Sequence, residues 1–149
     1  MLSPLFTFLI LATGFLLLNS FVGGGILRIS VQLHNRLAMD MRYDRLVVVP
    51  SLSTAFGMML AINTLLFVFS LAAQISLGAV GFRLGWITQV TGVVSIVIFS
   101  EAIMMTWLVG VVLQATWFRA LVVATIHLMI NLLIVSTIVG TIAFVTYYE

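Results

Sequence analysis

The charges of this chain are so few, and so gathered, that they dictate the solvent it must fold in. Residues 1–27 carry none, and between positions 46 and 148 only Arg83, Glu101 and Arg119 interrupt uncharged sequence. Soluble domains carry charge on about a quarter of their residues. Here 7% are charged and 63% are hydrophobic. A helix that crosses hydrocarbon needs about 20 apolar residues in succession, and four stretches qualify: 5–27, 53–77, 86–113 and 120–146. The expected fold is therefore all-α, an integral membrane four-helix bundle forming one transmembrane domain over residues 1–149. Residues 1–20 lack the basic start of a secretory signal and are read as part of the first span.

The one polar stretch, 28–45, holds four arginines and two aspartates. Ile29, Leu33, Leu37 and Met41 recur every four residues within it, the spacing of one helix face. This predicts a short amphipathic cytoplasmic helix between spans 1 and 2, lying along the membrane surface or continuing span 1 into the cytoplasm. Gly23, Gly24 and Gly25 end the first span and either weaken its helix or admit a close neighbour. Pro50 marks the start of span 2, and Gly78, Gly81 and Gly85 punctuate a turn carrying Arg83. Trp86, Trp117, Tyr147 and Tyr148 stand at span ends, where aromatic rings favour the interface.

Arginine placement predicts orientation. Arg28, Arg36, Arg42, Arg45 and Arg119 fall on one side of the expected membrane and Arg83 alone on the other. The positive-inside rule then makes both termini non-cytoplasmic in a multi-pass protein. Arg28, Arg36, Arg42 and Arg45 are candidate contacts for lipid head groups or a partner. The net charge of +2 belongs to this pattern, and nucleic acid is not an expected partner.

At about 1.5 Å rise per residue, Asn19, Asn63, Glu101 and Asn131 all fall near the bilayer midplane, with His127 one turn below Asn131. Polar groups at that depth are costly unless paired, so these five residues are the candidate functional network. Asn63, Ser70 and Gln74 share a face of span 2. On span 3, Gly92, Ser95, Ala102, Thr106 and Gly110 form a small-residue packing face, and Glu101 points about 130° away from it. That divergence predicts contact with span 3 from two sides, one of them another subunit. Three roles suit Glu101: a neutral hydrogen-bond donor to Asn63, Asn131 or a carbonyl, a proton or cation relay, or a contact to a lipid or quinone head group.

The two histidines cannot together ligate a haem, because His127 lies in a span and His34 in the arginine stretch. A pigment or haem on His127 alone is disfavoured, and Thr106 is its expected neighbour across the span 3–4 hairpin. No cysteine is present, which excludes disulfides and thiolate metal sites. No nucleotide, metalloprotease or hydrolase motif occurs, so neither catalytic nor metal-binding residues are assigned and enzymatic function is not expected. Bound lipid is the expected non-protein component. The function that fits best is a structural or accessory subunit of a larger integral membrane assembly, with other subunits or further copies of this chain as partners. The alternative is a small proton- or cation-conducting channel or transporter using the midplane carboxyl.

Overall fold

The computed structural model describes residues 4–40, 46–80 and 86–148. Four helices occupy them: α1 (Pro4–Asp40), α2 (Leu52–Val80), α3 (Trp86–Val112) and α4 (Trp117–Tyr148). All four are long and apolar enough to cross a membrane. Among the described residues there is no strand. Each helix packs on its neighbour in sequence, and α4 closes the ring against α1.

No separate amphipathic helix follows span 1. Residues 28–40 prolong α1 instead, giving a helix of 37 residues, about 55 Å long, against a hydrocarbon core of about 30 Å. Residues 41–45, with Arg42 and Arg45, lie outside the described residues. Ile29, Leu33 and Leu37 are exposed, whereas Ser30, His34 and Asn35 are buried. The four-residue repeat is real but marks the outer face. The inner face is held by polar bonds that hydropathy cannot reveal: the Asn35 amide donates to the Val47 carbonyl at 2.7 Å and accepts from the Val47 N–H at 2.9 Å. That two-point clamp fixes the segment leading to α2. Ser51 then caps the helix, its hydroxyl accepting the Thr54 N–H at 3.1 Å.

The glycine triplet does not break α1. A Cβ on Gly24 would lie 3.0 Å from the backbone nitrogen of Phe56, and one on Gly23 would lie 2.9 Å from Met59. Gly24 lets α2 approach backbone to backbone and Gly23 makes room for the Met59 side chain, the close contact membrane helices favour when burial from water no longer drives association. At the other hairpin α3 ends at Val112, and Gln114 takes the left-handed conformation (φ 50°) usual just beyond a helix end.

The core is confined to the end of the bundle where these connections lie. Leu27 and Val31 of α1, Ala55 and Ile62 of α2, Met105 and Val109 of α3, and Val123 of α4 are all sealed. The opposite half buries nothing comparable: residues 6–19 of α1 and 132–147 of α4 include no buried residue.

Candidate functional site

The sealed core ends in a polar layer. On α3, Leu113, Val109 and Met105 form a buried row at four-residue spacing, and the next position along it is Glu101. On α4 the row Ala120, Val123 and Ala124 leads to His127, fully buried, and then to Asn131. Helical spacing thus aims these polar groups at each other where the apolar packing stops.

Two linked sets result. Between α3 and α4, the Asn131 amide nitrogen lies 2.9 Å from His127 Nε2 and donates to Glu101 Oε1 at 3.5 Å. His127 Nε2 is itself 3.7 Å from Glu101 Oε1, within ion-pair range when the imidazole is protonated. Between α1 and α2, the Asn63 amide donates to the Ser20 hydroxyl at 3.1 Å, and that hydroxyl donates to the Leu16 carbonyl at 2.6 Å. His127 Nδ1 is buried with no hydrogen-bond partner. This imidazole is therefore tied to its surroundings through one nitrogen only.

Above this layer lies a half-open cavity of about 660 Å³. Asn19, Asn63, Glu101 and Asn131 all line it, and so does Ser70. Four of the five midplane residues singled out in sequence therefore meet at one cavity, and the fifth, His127, stands behind Glu101 and Asn131. The remaining walls are apolar, with Phe15, Leu18, Phe67, Ile134 and Ile138 among them. Asn19 makes no hydrogen bond among the described residues.

Several expectations shift. Within the chain Glu101 is met by Asn131 and His127 of α4. The Thr106 hydroxyl donates to the Ala102 carbonyl at 2.7 Å, and buried His127 is hydrogen-bonded to Asn131. Sequence reading passed over Ser20, which is fully buried where Asn19 is exposed. One residue is 100° around the helix, so Ser20 turns into the packing against α2 while Asn19 turns toward the cavity. It also passed over Asn35, whose clamp has no periodic signal. The side chain of Gln74 lies outside the described residues. Of the four arginines proposed for lipid or partner contact, Arg36 is exposed and Arg28 is partly buried, its Nε without a partner. Among the described residues no group of histidine and acidic side chains could hold a metal ion.

Comparison with protein-family models, curated proteins and solved structures finds no match for this chain.

Proposed function

We propose that this protein is a structural or accessory subunit of a larger integral membrane assembly, joined to it through the open half of the bundle. The observation that carries this reading is the far part of α4. Over residues 132–147 every side chain is exposed, and on one face Ser136, Gly140 and Ala143 recur at helical spacing. Nothing lies within 4 Å of where a Gly140 Cβ would stand. Small residues spaced by four are how membrane helices reach close contact, as Gly23 and Gly24 do inside this chain. A face with that chemistry, exposed along its length and with open space at Gly140 among the described residues, suits a helix of another subunit. The paired amides of the midplane layer favour the same reading, since they join helices without leaving a continuous polar path.

The orientation that goes with this reading puts both termini on the non-cytoplasmic side, following the arginine count. Cysteines at Met39 and Tyr147, both exposed, should then be labelled from opposite sides of sealed membranes. The assembly itself is tested by Gly140→Leu. The wild type, extracted gently from its native membrane, should migrate with at least one further polypeptide or a second copy. The variant should migrate alone with unchanged helix content. A wild type that migrates as a lone 16.3 kDa chain would refute the reading.

A proton or cation conduit is the second reading, favoured by one observation, the 3.7 Å approach of His127 to Glu101 at the cavity floor. It requires flux in reconstituted vesicles that Glu101→Gln abolishes at unchanged stability. Absence of flux in the wild type removes it.

A further inference from the structure

We infer that the half-open cavity is a binding site for a lipid alcohol, a molecule with one neutral hydroxyl head and an apolar body, held head-inward at the midplane. Four properties of the cavity select this class. Its volume, about 660 Å³, is that of a small-ligand site. Outward of the floor its walls are apolar at Phe15, Phe67, Ile134 and Ile138, with Ser70 the one polar side chain in the lining there, so a standing column of water has too few partners. Its floor is polar and incompletely bonded. Asn19 has neither its donors nor its acceptor used, and Asn63 contributes only its donor side, to Ser20. Glu101 engages Oε1 alone. A hydroxyl both donates and accepts, which this mixture of open amide and carboxyl positions demands. Finally, the floor sits near mid-bilayer, where a charged head is expensive. A phospholipid, whose charged head belongs at the interface, is the wrong shape and the wrong way round.

The inference stands apart from the assembly reading. Ile134 and Ile138, which face the cavity, lie about 160° around α4 from Ser136 and Gly140 at 100° per residue. A partner helix can occupy one face while the alcohol occupies the interior.

The test uses the full chain in vesicles with three photoreactive probes sharing one diazirine-bearing chain: a long-chain primary alcohol, its methyl ether and a phosphatidylcholine. The alcohol should label residues around Phe15–Val22 and Ile134–Ile138, and excess unlabelled alcohol should suppress that labelling. The ether, which cannot donate, should label about fivefold less, the loss of roughly one hydrogen bond. Ile134→Trp, which fills the cavity from an apolar wall, should abolish specific labelling while leaving thermal stability within the wild-type range. Asn131→Leu should weaken labelling without blocking access. Labelling spread equally over outward positions such as Phe99 and Val139, equal labelling by phosphatidylcholine, or labelling unaffected by Ile134→Trp would each overturn the proposal.

Discussion

Leu27, Ala55, Val109 and Val123, one from each helix, are shut away from their surroundings, whereas Phe15, Val68, Val94 and Ile138, farther along the same helices, are open. Both sets are apolar, and both come from segments long enough to span. What separates them is what stands beside them. In the sealed half, Gly23 and Gly24 admit α2, the Asn35 clamp fixes the segment before α2, and the Gln114 turn folds α4 tightly onto α3. In the open half residues 6–19 of α1 and 132–147 of α4 include no buried residue, and the polar layer of Ser20, Asn63, Glu101, His127 and Asn131 marks the border. In lipid, apolarity alone does not bring helices together. Close approach and directional bonds do, as Gly24 against Phe56 and Asn35 on Val47 show in the sealed half.

The same substitution made in each half should break the symmetry most. Gly24→Leu drives a side chain into the Ala55–Phe56 backbone, and overpacking of that kind costs about 1–3 kcal/mol or more. Thermal unfolding of the purified chain should shift down sharply. Gly140→Leu meets open space and should leave that midpoint within about 0.5 kcal/mol of wild type. Equal loss in both variants would mean that the open half carries as much of the fold as the sealed one.

Asn35→Ala comes next. It removes two buried backbone contacts at Val47, each worth about 1 kcal/mol, and should destabilise by about 2 kcal/mol. Exchange of Asn35 by Ala with no measurable effect would remove the clamp from the account of the sealed half.

Glu101 sharpens the border itself. Glu101→Gln keeps the size and a hydrogen-bonding head toward Asn131 and should cost on the order of 1 kcal/mol or less. Glu101→Leu leaves Asn131 and His127 facing hydrocarbon and should cost more. If the two cost the same, the layer is not held by the Glu101 hydrogen bond. The smallest effect is expected at Gln114→Gly, where a residue that adopts φ 50° without strain should stabilise by about 0.5–1 kcal/mol.

Much of this was legible in the sequence because charge and hydropathy act on whole segments. The expected spans and the helices coincide closely: 120–146 lies within Trp117–Tyr148, and the expected 86–113 falls on Trp86–Val112. A constant rise per residue puts Asn19, Asn63, Glu101 and Asn131 at one expected level, and all four line one cavity. Facing was not legible. The stripe Ile29, Leu33 and Leu37 would point inward in water, but lipid makes an apolar outer face as cheap as an apolar inner one. Packing was therefore decided by Gly24, Ser30 and Asn35, residues whose role depends on a partner chosen only in three dimensions. The choice of Ser20 over Asn19 as the inner residue, and of Glu101 as the partner of His127, is lost for the same reason.

The contrast between the halves is tested most directly by distance distributions between paired spin labels. One pair, at Leu33 and Phe118, reports the sealed half, and the other, at Leu71 and Val139, reports the open half; all four positions are exposed. In the purified chain the first pair should give a single narrow distribution and the second a broad one. In the native assembly the first should be unchanged and the second should become narrow. Two equally narrow distributions in the purified chain, unaltered on assembly, would contradict the claim that the open half is completed by a neighbour.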